Sequence, residues 1–430
     1  MQLKTLQSFT GSSLKEPIMR LITLLFTLLL SSQAFADRVD DWRQDISVFA
    51  KELEANHFSP FTHLTKGAFH KEIKMLKAQV PSLSDAKITI ELMKLARRVG
   101  DGHTAVHYAH TAEREFPLEV YLDENQLRVI GVGEEYKHLL GATLVKIDQK
   151  PITEIHSALA PIAQFVENSY SRDRRAAQYI KYGDLLAELG LIKSAQKAMF
   201  TFDQQGKQWQ IDIKALPRQQ AADSIVWLER KMPAVKVMKD AGIPDLWFGI
   251  LPSQKAMYIK FTRYPSFDQM DQFGQAVLKT LRDRKLKRLI VDFRGNWGGD
   301  FYVGVWLSYY LNLYDGLDWN KGVYVLVDSG TFSAATINAT QFRQLLNARV
   351  VGEPTGSNPS GVQDMGTFTL PHSRLMVSYS KRLFRLQPEL NKPLQPDAIV
   401  KMQWQDWQQG TDTVMKWVLN EIGTAAKPAK

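Results

Sequence analysis

The chain has 430 residues, 44% of them hydrophobic and 23% charged, with no cysteine and a formal charge of +9. That length suggests two or three domains of about 100–200 residues, and a near-average composition argues against disorder or a fibrous repeat. Zero cysteine excludes a disulfide framework, a cysteine zinc site and a thiol nucleophile.

The first expected element is a leader. Residues 21–30, LITLLFTLLL, form an uncharged apolar run behind Arg20, followed by SSQAFA and the polar stretch DRVDDWRQD. A basic flank, about ten apolar residues and a small-x-small ending at Ala34-Phe35-Ala36 are the parts of a secretory signal peptide. The run is shorter than the about 20 apolar residues that a membrane span needs. A buried core helix is the competing reading, and Pro17 together with a break at Ala36–Asp37 weighs against it. Met19, directly before Arg20, would by itself open an ordinary leader. The expectation is a signal peptide over 1–36 and an exported chain from about Asp37, periplasmic or secreted, with no membrane segment after leader removal.

Trp42, Ile46, Phe49 and Leu53 follow at helical spacing, then Phe69, Ile73, Leu76 and Val80 up to Pro81. A third set, Ile88, Leu92, Leu95 and Val99, ends at Gly100. Three amphipathic helices predict a helical N-terminal domain over 37–110. Over 111–250 the period shortens: PLEVYL, QLRVIGV and ATLVKI read as strands. The stretch LLGATLVKIDQKPI is similar to a PDZ-like module, although a plain β-rich insert accounts for it equally well. Residues 251–430 alternate strand and helix (AMYIKF, MDQFGQAVLKTLRD, KRLIVDF, a helix near 300–313, GVYVLV, a helix over 333–346, ARVVGE), which predicts an α/β domain with a mostly parallel, covered sheet. The basic cluster from Arg282 to Arg288 reads as a solvated helix C-terminus. No arginine stripe interleaved with stacking aromatics suggests nucleic acid.

Three turns at element ends have chemical potential. Asp292-Phe-Arg-Gly-Asn-Trp-Gly298-Gly299 follows a strand and presents bare amides beside a helix start, which suits a developing oxyanion. The nucleotide loops GxxxxGK[ST] and GxGxxG are absent. Asp328-Ser-Gly-Thr-Phe-Ser333-Ala-Ala puts a serine at a helix N-terminus, as a nucleophile or, more commonly, as a cap, a role open to Ser333 or Thr331. Asp101-Gly-His103-Thr104 offers an accessible imidazole, the usual base for a serine, although a lone histidine is more often structural. Strand alternation would not aim His103, His107 and His110 to one side, so no metal is expected.

Taken together, GDGHT, VDFRGNWGG, VLVDSGTFSAA, VVGEPTGSNPSG and LQPD resemble, in order, the tail-specific or C-terminal-processing serine peptidases, including their tricorn core protease and retinoid-binding-protein branches. The resemblance spans most of 41–400. It implies a crotonase-like α/β catalytic domain, Ser333 as nucleophile, and an oxyanion hole from amides near Gly298, Gly299 and Ala334. No cofactor is implied, and the partner would be a peptide or an unfolded protein tail. The processing branch uses a lysine where this chain has Asn358; the tricorn-like branch uses a histidine in the GDGHT-like segment, where His103 stands.

Two departures matter. Thr336 occupies a position that is often acidic in the family. Leu390 falls where a supporting glutamate is expected, with Glu389 one position away. The third catalytic member therefore stays open between Glu389, Asp101 and none. The function expected is a Ser-His acyl-enzyme peptidase. The alternative is a non-catalytic ligand-binding protein on the same scaffold.

Overall fold

The structure, a computed structural model, describes residues 15–229, 235–243 and 245–425. Residues 1–14 of the expected leader lie outside the described residues. From Lys15 a single helix runs to Asn56, so the chain does not turn at Ala36–Asp37. Residues 31–41 contain neither glycine nor proline, and nothing there removes a helical hydrogen bond. Past that point Val39, Trp42, Ile46, Phe49 and Leu53 are buried. The helices Lys66–Gln79 and Asp85–Val99 follow, their first turns capped by the hydroxyls of Thr65 and Ser84. Among the described residues no helix is long and apolar enough to cross a membrane.

The next segment forms a seven-stranded antiparallel sheet, in which Gln126–Gly133, Thr143–Ile147, Lys197–Gln204 and Lys207–Lys214 lie side by side. One hydrophobic core joins this sheet to the N-terminal helices: Phe49, Leu92, Phe116 and Phe200 belong to the same cluster.

A second seven-stranded sheet carries the α/β half. Its order is Lys236–Ile243, Leu246–Leu251, Ala256–Phe261, Arg288–Asp292, Val323–Val327, Arg349–Gly352 and Ala398–Ile399. The first two pairings are antiparallel and the rest parallel. One face packs on the helices Phe267–Asp283, Phe301–Asn312 and Ala334–Leu346. The other is covered by Val414, Met415, Val418 and Ile422 of the last helix. Burial on both faces explains why the strand Val323–Val327 is apolar throughout. Burying a ring such as Phe293 stabilises the fold by about 2–3 kcal/mol. The carboxyl ends of the parallel strands deliver the turns after Asp292 and Val327, the usual place for a site in such a sheet.

A long hairpin, Ser360–Thr369 with Met376–Arg385, leaves this half and reaches the N-terminal half. Its second strand pairs with the short strand Ala105–Val106, placing Ala105 opposite Ser378. This bridge fixes the Gly100–Thr104 segment relative to the sheet.

Candidate active site

Ser333 sits between the strand Val323–Val327 and the helix Ala334–Leu346, with φ 51° and ψ −125°. A non-glycine residue in that region costs on the order of 1–3 kcal/mol and persists only where its surroundings enforce it. Here they do. The Phe332 N–H donates to the Asn296 carbonyl at 2.9 Å, and the Ser333 N–H donates to Ser357 Oγ at 2.7 Å. Ser357 in turn donates to Thr336 Oγ1 at 2.9 Å, and Thr336 donates to the Thr331 carbonyl at 3.0 Å. Thr336, the departure noted in the sequence, thus carries a neutral hydroxyl relay under the nucleophile. Ser333 makes no side-chain cap, and the Thr331 hydroxyl donates to the Phe293 carbonyl at 3.0 Å. Neither residue caps the helix.

The glycine turn is anchored from beneath. Arg294 forks between two buried carboxylates, with bonds of 2.9 and 2.8 Å to Asp292 and of 2.9 and 2.7 Å to Asp412. Burial alone would raise the Asp292 carboxyl, but Arg294 and Lys260 hold it well below the carboxylate range. Asp328 Oδ1 accepts the Gly295 and Gly330 N–H groups, both at 2.9 Å, tying this turn to the serine turn. Gly298 has φ +100°, and a Cβ there would lie 2.7 Å from that of Ser333; only glycine allows so close an approach. The Gly298 N–H is already used, donating to Asn296 Oδ1 at 2.9 Å. Among the described residues the Gly299 and Ala334 N–H groups make no hydrogen bond.

Asp101 builds the opposite wall. Its Oδ1 accepts the His103 N–H at 2.9 Å, the Thr104 N–H at 2.8 Å and the Ser380 hydroxyl at 2.6 Å. Its Oδ2 accepts the Thr104 hydroxyl and His57 Nε2–H, each at 2.8 Å. His57 Nδ1 accepts from the Ser59 N–H at 2.9 Å, which puts the ring proton on Nε2. Burial pushes the Asp101 carboxyl up, and these donors, His57 first, bring it well below the carboxylate range. Ser378 on the bridging hairpin donates to the His103 carbonyl at 2.7 Å. The ring so delivered has Nε2 2.9 Å from Ser333 Oγ and packs 5.6 Å from the Phe332 ring. Its Nδ1 is buried and, among the described residues, has no hydrogen-bond partner. Burial lowers the His103 pKa, opposed by the fields of Asp101 and Asp364.

The structure therefore brings Ser333, His103, Gly298, Gly299 and Ala334 together, and puts Asp101 against the His103 backbone rather than its ring. Glu389 is not brought in. It is exposed in the turn after the hairpin, where its carbonyl accepts from Gln387 at 3.1 Å. Leu390 is exposed beside it. Asn358 is buried against Glu167 and Asn168. A cavity of about 510 Å³ opens over Ser333 and His103, with Trp297, Phe332, Phe384 and Arg175 in its walls. The sequence reading named none of these four as site residues. Short alternating runs, Phe368 with Leu370, and Leu375 with Val377 and Tyr379, were a readable signal for part of the hairpin that brings Phe384; Arg175 had none.

A serine whose hydroxyl meets a neutral imidazole beside open backbone amides can act as an acyl-transfer centre, the site of a serine hydrolase. Residues 307–398 match the model of peptidase family S41. In structure the chain is similar to a serine-to-alanine mutant of CPAF, with a TM-score of 0.66 at 11% identity over 89% of this chain and 96% of that one. Mature CPAF complexed with lactacystin gives a TM-score of 0.61 at 10% identity, over 90% and 98%. At such identity these likenesses speak for the fold alone. No curated protein matches the sequence.

Proposed function

We propose that the chain is an exported serine peptidase that cleaves peptides or unfolded protein tails through an acyl-enzyme on Ser333. The observation that carries this reading is the 2.9 Å contact between Ser333 Oγ and His103 Nε2. With Ser333 donating, Nε2 is the acceptor and the neutral ring carries its proton on Nδ1. Ser333 Oγ attacks the scissile carbonyl while Nε2 takes the hydroxyl proton. The carbonyl oxygen, now negative, is met by the open N–H groups of Gly299 and Ala334. His103 returns the proton to the leaving amine, and water enters by the same steps in reverse. In this reading Gly298 permits the close approach instead of donating, because its amide is spent on Asn296. The imidazolium forms without a hydrogen-bonded carboxylate, and the fields of Asp101 and Asp364 supply what stabilisation it has.

Export and a periplasmic or secreted location rest on the leader-like segment 20–36, and the substrate class rests on the family. The unpartnered Nδ1 favours the second reading, a ligand-binding protein on the same scaffold, because an unsupported imidazole is a weaker base. Incubating residues 37–430 with a peptide library decides between them. Cleavage that is lost in both Ser333→Ala and His103→Ala supports the peptidase; binding without cleavage by the wild type would overturn it.

A further inference from the structure

Arg175, at the wall of the active-site cavity, is a buried cation without a counter-ion. It is 6% exposed, and among the described residues no carboxylate lies within salt-bridge distance of it. Its two hydrogen bonds go to neutral acceptors, the Phe165 carbonyl at 3.4 Å and Gln178 Oε1 at 3.2 Å. Those bonds use Nε and Nη1, which leaves the Nη2 donors without a partner among the described residues. The guanidinium carbon lies 2.9 Å from the centroid of the Trp297 ring and 5.3 Å from that of Phe332. Phe332 also touches the His103 ring, so a single aromatic ring stands between the cation and the catalytic pair.

The neighbours contrast with it. Arg174 is paired with Asp328 at 3.3 Å, and Arg294 is clasped by two aspartates. Buried charges are normally paired, because an isolated one is costly. A guanidinium held over the Trp297 ring and near that of Phe332, with donors left over, is pre-organised to take a carboxylate in a forked pair. Burial pushes the Arg175 pKa down, and an incoming anion would relieve that penalty.

We infer that Arg175 forms an anion subsite in the active-site cavity, which takes a carboxylate of the substrate within a few residues of the scissile bond. Two substrate groups supply that chemistry: the free C-terminus of a short tail, and an Asp or Glu side chain. The aromatic walls would accept apolar neighbours beside it. This subsite rests on the peptidase reading for its meaning, but its binding step does not need the serine.

The test therefore uses Ser333→Ala protein, on which peptides bind without turnover. Dissociation constants are measured for acetyl-pentaalanine as free acid and as amide, and for acetyl-Ala-Ala-Glu-Ala-Ala-amide against its Gln counterpart. The expected result is that at least one carboxylate peptide binds about tenfold to a hundredfold tighter than its neutral twin. The pair that shows the gap identifies which carboxylate is read. Adding Arg175→Gln should erase the gap, and Arg175→Lys should restore part of it, which a loss of folding could not do. Equal binding within both pairs, or a gap that survives Arg175→Gln, would overturn the inference. Failure of the peptidase reading shows elsewhere, as unchanged hydrolysis by Ser333→Ala.

Discussion

The two walls of the site are held in opposite ways. The serine wall is fixed through its backbone: Ser333 keeps a strained φ because Asn296, Ser357 and Asp328 hold the turns on either side of it. The histidine wall is fixed up to its last bond and no further. Asp101 and Ser378 secure the His103 backbone, but among the described residues its ring hydrogen-bonds only to Ser333 and packs on Phe332. The nucleophile is thus pre-set by main-chain geometry, while the base is positioned from behind and left free at Nδ1. Such an arrangement makes the serine wall a matter of folding stability and the histidine wall a matter of rate.

The largest break in that contrast should come from Arg294→Ala. It leaves Asp412 buried without a cation and Asp292 with Lys260 alone at 3.3 Å, and should cost about 3–5 kcal/mol, read as a drop in unfolding free energy. An unfolding curve within 1 kcal/mol of wild type would mean that the glycine turn is held otherwise. A smaller stability effect but a clear rate effect is expected for Asp101→Asn. The amide keeps the shape and loses the charge that faces His57 and two main-chain N–H groups, for about 2–3 kcal/mol. With His103 less well placed, kcat should fall roughly tenfold to a hundredfold with KM little changed. Smallest of all is Glu389→Ala. An exposed turn residue should shift stability by less than about 0.5 kcal/mol and activity by less than about twofold. A hundredfold loss there would show that this turn folds over the site when substrate binds.

Much of this architecture could be read from the chain. The helices near 66–79 and 85–99 and the strand–helix alternation after 256 follow from periodicity, because local burial patterns dictate them. The Ser333 and Gly298 turns were legible because strand–glycine–helix junctions have few alternative geometries. What escaped was non-local. The hairpin over 360–385 gains its meaning by pairing with Ala105–Val106, more than 250 positions away. The helical and β-rich segments share one core, a fact that no composition shift announces. Asp101 was legible as a neighbour of His103, but only the fold shows that it grips the backbone and His57. Glu389 looked eligible by register, but only the fold shows that it and its neighbour Leu390 both lie exposed in the turn after the hairpin. The helix through Ala36–Asp37 ran on because the small residues that suit a cleavage site also suit a helix.

The central claim is that His103, neutral and buried, activates Ser333. The second-order rate of Ser333 modification by a fluorophosphonate, followed against pH, tests it most directly. Burial lowers the His103 pKa beneath the free-histidine value of 6.5. The base is competent above its pKa and lost as pH falls through it, so the rate should stay flat from pH 8 to below pH 6.5. It should then fall along one acid limb, and His103→Ala should abolish the reaction. A limb centred above pH 6.5, or labelling of Ser333 at an undiminished rate in His103→Ala, would contradict the account.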